Sequence, residues 1–327
     1  MLSAIVPTHN RPDLLTQCLE TLMAQDVGPD ELEIVVVDDG SRDDLHTVVV
    51  AASANRRFAT HCERQPPSGL NVARNRGAGV ARGEVLAFLD DDTLVDTGWA
   101  RALVEAFESY PCAGVGGRVR LGLTGGLPQW VGEEERTMLT EYELGDEGRW
   151  LDLADGRWWL AEDPPPVGAN CAVRRTEFVR VGGFLPGLDR RGRSLVSNGD
   201  SEFFLRLYAR GGRLRYEPRA SVTHCVPDER MTIPFFIRRH YAQGVSAELM
   251  AAIDGQVPDP ARLTGLFRGL GGAGKVLCRD RIHGRSTIRG RFLAAYWTGR
   301  LLGRARARLF RNGRAATGTF PDAPSAR

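Results

Sequence analysis

Two runs of acid sit where carboxylates can do chemistry. Asp38-Asp39-Gly40-Ser41 follows the apolar run Ile34–Val37, and Asp90-Asp91-Asp92 follows Val85-Leu86-Ala87-Phe88-Leu89. Short, continuously apolar, β-branched stretches read as strands buried on both faces. In an open parallel sheet, ligands bind in the crevice outside the carboxyl ends of such strands. Three consecutive carboxylates repel one another unless a cation lies among them. Hard divalent ions such as Mg2+ or Mn2+ take carboxylate oxygens and bridge to phosphates. The competing explanation for Asp38-Asp39 is a helix N-cap ahead of a helix starting near Arg42. For Asp90–Asp92 it is a solvated acidic run, which rarely follows an apolar strand directly. A third pair, Asp200 and Glu202 in Asn198-Gly199-Asp200-Ser201-Glu202, stands apart in the chain. It reads as a helix cap, or as the carboxylate that takes a proton from an attacking hydroxyl while a metal neutralises a leaving phosphate.

The elements that must position these groups alternate strand and helix in the rhythm of a parallel sheet. Strands are expected over 2–6, 32–37, 57–63 and 84–89, and helices over 12–25, 69–81 and 98–110. In the first helix Leu14, Leu15, Cys18, Leu19 and Leu22 fall at helical spacing, and in the last Trp99, Leu103 and Phe107 share a stripe. Residues 122–166, rich in Gly, Trp and acids and closed by three prolines, break the rhythm and read as an insertion of loops and short helices. A strand over 167–173, a helix over 201–208 and two short strands over 213–216 and 220–224 follow. From Ile233 the pattern is helical and increasingly basic, with a Gly/Pro break near 255–260.

Composition narrows the class. The 327 residues are 42% hydrophobic and 26% charged with mean hydropathy −0.26, as in ordinary globular chains. No stretch approaches the roughly 18 to 20 apolar residues that span a bilayer. The N-terminus enters a strand-like run without a basic leader, so a cytoplasmic protein is expected. Six cysteines without Cys-x-x-Cys spacing read as reduced thiols rather than metal ligands or a disulfide frame. The net charge of +2 hides an asymmetry: residues 261–314 carry fourteen Arg or Lys against Asp280 alone, leaving about −11 on the rest. Within that segment 291–311 reads as a basic amphipathic helix. Phe292, Ala295, Tyr296, Gly299, Leu302 and Leu309 lie toward one side and Arg300, Arg304, Arg308 and Arg311 toward another. Such a helix suits peripheral contact with an anionic inner membrane face, or packs its apolar side onto the protein and leaves its arginines solvated.

The chemistry-bearing stretches also occur in a recognisable order: Ile5-Val6-Pro7-Thr8-His9-Asn10-Arg11, Val36-Val37-Asp38-Asp39-Gly40-Ser41, Ala73-Arg74-Asn75-Arg76-Gly77, Phe88-Leu89-Asp90-Asp91-Asp92, Gly168-Ala169-Asn170, Gly182-Gly183-Phe184, Gly199-Asp200-Ser201-Glu202 and a late His224. Over about residues 2–245 they resemble glycosyltransferase family 2. The resemblance implies an α/β chain of GT-A type: a mostly parallel open sheet flanked by helices, here with a helical basic C-terminal extension. The implied organisation is a catalytic domain over 1–230, with a nucleotide-binding half over 1–115 and an acceptor-side half over 116–230. A helical basic region over 231–315 and a disordered tail over 316–327 complete it.

By resemblance the chain is an inverting, non-processive enzyme moving a sugar from a nucleotide diphosphate-sugar, a UDP-sugar first, to an acceptor hydroxyl. The acceptor would be lipid-linked or a small molecule, as in cell-envelope or secondary-metabolite glycoside synthesis, and no nucleic-acid partner is expected. Pro7, Thr8, Asn10, Arg11, Asp39, Arg74, Asp90, Asp91 and Arg230 would contact the donor. Asp92 and His224 would hold Mg2+ or Mn2+, and Asp200 would be the base. Two departures are informative. The family's Glu-Asp pair at the base is Gly199-Asp200 here, and the Gln-x-x-Arg-Trp of processive members reads Pro227-Asp228-Glu229-Arg230-Met231. The alternatives are a sugar nucleotidyltransferase, whose Gly-rich first loop is missing, and a non-catalytic sugar-nucleotide-binding protein. The P-loop-like Gly269–Lys275 is followed by Val276 rather than Ser or Thr and preceded by no strand, so it reads as chance.

Overall fold

The computed structural model describes residues 1–54, 57–153, 163–190, 192, 194–253, 260–283 and 285–317, with side chains undescribed at 260–264 and 310–317. The first strand, β1 (Leu2–Thr8), is buried along its whole length. Helix α1 (Pro12–Met23) starts on a proline, whose fixed φ suits the first turn, and buries Leu15, Cys18, Leu19 and Leu22. Then come β2 (Leu32–Asp38), also buried throughout, α2 (His46–Ala52), β3 (Ala59–Arg64), α3 (Leu70–Val80) and β4 (Val85–Leu89). These strands pair in parallel in the order β3-β2-β1-β4. Thr8 stands opposite Asp38 and Ile5 opposite Phe88, so the carboxyl ends of β1, β2 and β4 finish together. Both acidic runs therefore emerge at one edge of the sheet. The helix after Asp38 starts at His46 rather than near Arg42, with Leu45 at its cap and no side-chain cap bond, so Asp38 and Asp39 do not cap it.

The second half brings β5 (Thr93–Val95), α4 (Trp99–Ser109), β6 (Gly114–Gly122), α5 (Glu133–Met138), β7 (Arg149–Leu151), β8 (Asn170–Arg174), α6 (Arg175–Val181), α7 (Gly199–Ala209) and β9 (Leu214–Cys225). The sheet continues past β4 as β8-β6-β9-β5, with β7 added on β9. Strand β8 runs antiparallel to β4 and β6, while β6 and β9 are parallel, so the sheet is parallel over β3-β2-β1-β4 and mixed beyond it. The two short strands expected at 213–216 and 220–224 are one 12-residue strand. Pro218 lies between those two stretches and cannot donate to a ladder, but a register shift opposite Gly117/Arg118 absorbs it. Strand β6, within the stretch leading into the expected insertion, is hidden from pattern reading by Gly114, Gly116 and Gly117.

A 3-10 turn (Asp228–Arg230) leads into the C-terminal helices α8 (Ile233–Ile253), α9 (Pro260–Ile282) and α10 (Ile288–Thr317). Helices α8 and α10 approach closely because their contact is built on glycine. A Cβ on Gly299 would strike the Tyr241 carbonyl, and one on Gly244 the Tyr296 carbonyl. Phe292 packs with Phe236, Met138, Leu139 and Val226, and its ring meets Trp130, tying α10 to α5 and to the end of β9. The glycine edge corrects the expected apolar face. Gly299, Gly303 and Ala307 face inward, Leu302 and Leu309 are exposed, and Arg304 is buried while Arg300 pairs with Glu248. Small residues win the inward position because they let two backbones touch. The P-loop-like segment is helical, within α9. Among the described residues no helix is long and apolar enough to cross a membrane. Residues 255–259 of the expected break and 318–327 of the expected tail lie outside the described residues.

Replacing Gly299 by Leu is expected to lower stability by about 3 kcal/mol, the upper range for overpacking. Leu302→Ser, on the exposed face, should change it by less than about 0.5 kcal/mol. Urea unfolding of the two variants measures the difference, and equal midpoints would show that the helices do not pack through this edge.

Candidate active site

At the end of β4 the three carboxylates have different partners. Asp91, 5% exposed, accepts the Thr8 hydroxyl at 2.7 Å on Oδ2 and the Arg11 guanidinium at 3.0 Å on Oδ1. Burial still outweighs Arg11 and pushes the Asp91 carboxyl up to about 6. Arg11 also donates to Asp92 Oδ2 at 3.0 Å, so one guanidinium bridges two acids. Burial alone would raise Asp92 as well. The bond and charge that His224 supplies when Nε2 carries a proton, followed by the charges of Arg11 and Arg230, instead hold it below the usual carboxylate range. Asp90, at the cleft wall, accepts Arg74 at 2.9 Å.

One atom of this cluster lacks a donor. Asp92 Oδ1 is buried without a hydrogen-bond partner and faces His224 Nε2 at 3.3 Å. His224 Nδ1 lies 2.8 Å from the Leu139 carbonyl, which only accepts, so Nδ1 carries the hydrogen and Nε2 is left to face Asp92. Two buried acceptors face to face are stable only with a proton or cation between them. A carboxylate oxygen and an imidazole nitrogen fixed through its other nitrogen make a donor set that fits a divalent metal ion. Among the described residues no three His, Cys, Asp or Glu side chains form a closed cage. Magnesium usually needs none, since water and substrate phosphates fill the remaining positions.

The other expected residues gather around a cleft of about 1450 Å³. Pro7, Thr8 and Asp39 line it beside the acids. The Asp39 carboxylate is held by Gln65 Nε2 at 2.7 Å and by the Ser68 and Gly69 N–H groups at 2.8 and 2.9 Å. Asn10 is not in the lining. Its amide closes the turn after β1, accepting the Arg42 N–H on Oδ1. Arg74, 3% exposed, spans from Asp90 to the Gly168 carbonyl at 3.0 Å. Gly168 is there because a Cβ would collide with that guanidinium. Its N–H in turn donates to Asp200 Oδ2 at 2.6 Å, in the first turn of α7. The chain Asp90–Arg74–Gly168–Asp200 thus fixes the separate acid against the cluster. Glu202 has a different job: buried, it pairs with Arg206 at 2.7 and 2.9 Å, and Arg206 also holds the Gly183 carbonyl. Arg230 comes within 3.9 Å of Asp92 from the 3-10 turn.

The far end of the cleft is made by residues that pattern reading passed over: Arg190, and Arg239, His240, Gln243, Tyr296 and Trp297 of α8 and α10. The one available signal was Arg238-Arg239-His240 following the apolar Ile233–Ile237, charges in a helix that otherwise needs burial.

The family model "Glycosyl transferase family 2" matches residues 3–176. A glucosyl-dolichyl phosphate glucuronosyltransferase of Haloferax volcanii is 27% identical over 264 residues, covering 79% of both chains. A validoxylamine A glucosyltransferase of Streptomyces hygroscopicus is 35% identical over 202 residues, 56% of this chain and 44% of the relative. Among solved structures, a mannosyltransferase from Pyrobaculum calidifontis in complex with GDP-Man and Mn2+ shares the fold with TM-score 0.55 and 20% identity, covering 98% of this chain and 76% of the other.

The split between the two α7 acids is testable in stability alone. Glu202→Gln strands the Arg206 charge and is expected to cost about 3 kcal/mol, as for breaking a buried pair. Asp200→Asn, at the cleft wall, should cost about 1 kcal/mol at most. Denaturant titration of both variants checks this, and the reverse order would put Asp200 in the structural role.

Proposed function

The chain belongs to glycosyl transferase family 2 and is a nucleotide-sugar glycosyltransferase; from that premise we propose a metal-assisted inverting transfer with Asp200 as general base. The observation that supports it is that Asp92 and Asp200 line one cleft as separate carboxylates, with Asp92 Oδ1 buried and unpartnered against His224 Nε2. Asp92 and His224 would hold Mg2+ or Mn2+, which when bound supplies positive charge to the departing diphosphate. Pro7, Thr8 and Asp39 form the wall for base and ribose, and Asn10 shapes the turn that carries Arg11. Arg11 and Arg230 flank Asp92 on the diphosphate side, and Arg74 with Asp90 sets the sugar's edge of the site.

Asp200 takes the proton of the acceptor hydroxyl as its oxygen bonds to the anomeric carbon. The bond from that carbon to the diphosphate breaks in the same displacement, so an α-linked donor gives a β-linked product. The Gly168 N–H keeps one Asp200 oxygen fixed while the proton is received. In this reading residues 1–230 carry the chemistry and the 231–315 helices complete the acceptor end.

The acceptor is proposed to be lipid-linked. The Haloferax relative is named for a dolichyl phosphate substrate. Phe267, Ile282, Leu302 and Leu309 are exposed on α9 and α10, among exposed arginines such as Arg268, Arg281 and Arg306. Apolar side chains set among cations suit an anionic bilayer surface.

Asp92→Asn is expected to abolish the gain in nucleotide affinity from Mn2+ and nearly all turnover. Asp200→Asn should keep nucleotide binding and lose about 10²-fold or more in turnover. Calorimetry with and without Mn2+, and a donor-hydrolysis screen starting from UDP-sugars, measure both effects; metal-dependent binding unchanged in Asp92→Asn would remove the metal assignment. Full-length protein should also co-sediment with liposomes containing anionic lipid at low salt and release as salt rises. Protein that stays in the supernatant would favour a soluble acceptor.

A further inference from the structure

Arg239 is 7% exposed and lines the acceptor end of the cleft, yet no carboxylate pairs with it among the described residues. Its bonds go to neutral acceptors: the Leu195 carbonyl and the Ser197 hydroxyl at 2.9 Å, and the Met138 carbonyl at 3.4 Å. Burial, then the charges of Arg190 and Arg230, push its guanidinium down to about 9, so it remains charged at neutral pH. Arg190 lines the same wall and also has no ion-pair partner among the described residues. Arg230 is drawn down by burial and by Arg190. Of these three guanidiniums only Arg230 has a carboxylate within 4 Å among the described residues, Asp92 at 3.9 Å, while Asp200 acts on Arg239 from farther away. Of the lining acids on and after α5, Glu141 pairs with Arg136, Glu143 lies 3.6 Å from Arg118, and Glu133 and Glu134 are exposed.

Beside Arg239 lie further unused polar atoms. Asn198 Nδ2 and Gln243 Oε1 are buried without a hydrogen-bond partner, and both residues line the cleft. Asn198 holds φ 81, a left-handed conformation that places it at the start of α7 next to Asp200. Uncompensated like charges and orphaned amide atoms in a buried wall imply a ligand that supplies both charge and hydrogen-bonding groups.

We infer that Arg190 and Arg239, with Ser197 and Asn198, form a second anion subsite that takes an oxyanion on the substrate side of the cleft, separate from the donor diphosphate at Asp92. The oxyanion is a phosphate carried by the acceptor or a carboxylate on the transferred sugar. The subsite rests on the proposed donor site, because the diphosphate must already be placed at Arg230 for Arg239 to be left over. A guanidinium is suited to either group, being planar and able to donate two parallel bonds.

The test uses full-length protein saturated with Mn2+ and UDP, or GDP where UDP does not bind, so that the diphosphate position is filled. Phenyl phosphate, and in a separate arm methyl glucuronide against methyl glucoside, are titrated by ligand-observed NMR. Binding of phenyl phosphate marks an acceptor phosphate; preference for the glucuronide over the glucoside marks a sugar carboxylate. Either supports the subsite when Arg239→Gln weakens that binding by about tenfold or more and leaves nucleotide binding unchanged. Arg190→Gln, a half-buried side chain with no ion pair to lose, repeats the measurement if Arg239→Gln does not fold. Absence of anion binding in both arms, or its retention in both variants, overturns the inference. Failure of both nucleotides to bind overturns the donor-site reading beneath it instead.

Discussion

Three consecutive carboxylates at the end of a buried strand repel one another and resist leaving water, and the surrounding structure is arranged around that constraint. Each acid is stabilised in a different way. Asp90 stays at the cleft wall against Arg74, Asp91 shares Thr8 and Arg11, and Asp92 relies on Arg11, His224 and the more distant Arg230. The partners come from the end of β1, the loop after it, α3, β9 and the 3-10 turn. A cluster compensated from five places can form only if those elements converge, so the local charge problem and the global topology are solved together. The Asp92–His224 contact is stable only with a proton or a cation between its two atoms, and that is where a metal ion would be useful.

The parallel half of the sheet fixes the cluster because parallel strands put their carboxyl ends on one side. The mixed half serves a second purpose. Strand β9 runs long through a bulge and delivers His224 opposite Thr93, just past the acids, while β8 returns antiparallel beside β4 and brings Gly168 next to Arg74. Had β9 ended between 216 and 220, as the two expected strands implied, the histidine would not be held in register with Thr93, just past the acids. Asp200 is then set by a relay of backbone and guanidinium contacts rather than by a direct bond between acids.

Much of this was readable from local pattern. Buried strands announce themselves by uninterrupted β-branched residues, as in Leu32–Asp38, and acids directly behind them are costly enough to be informative. Glycine-rich β6 and proline-bearing β9 were obscured for one shared reason: their stability comes from pairing and burial, which intrinsic preference does not report. The face of α10 was misjudged similarly. Phe292 and Gly299 do face inward as expected, but Leu302 and Leu309 do not, because close helix contact rewards small side chains such as Gly303 and Ala307 instead. Arg190 and Arg239 were unreadable because their meaning is the absence of a partner, a property that exists only in three dimensions.

The C-terminal helices are built into the sheet's active end rather than appended to it. A basic extension would ordinarily be treated as separable, its arginines solvated. Here Phe292 shares a cluster with α5 and the end of β9, and α8 places Arg239 within electrostatic reach of Asp200. The glycine edge that lets α10 press against α8 also keeps Tyr296 and Trp297 at the cleft wall. The positive charge of the extension is accordingly of two kinds. Exposed arginines such as Arg268 and Arg306 are screened by solvent and act only on large anionic surfaces. Buried Arg239 is poorly screened and acts on whatever enters the cleft. A single basic segment can therefore face a surface with one side and complete a substrate site with the other, because burial rather than sequence decides what each charge can reach.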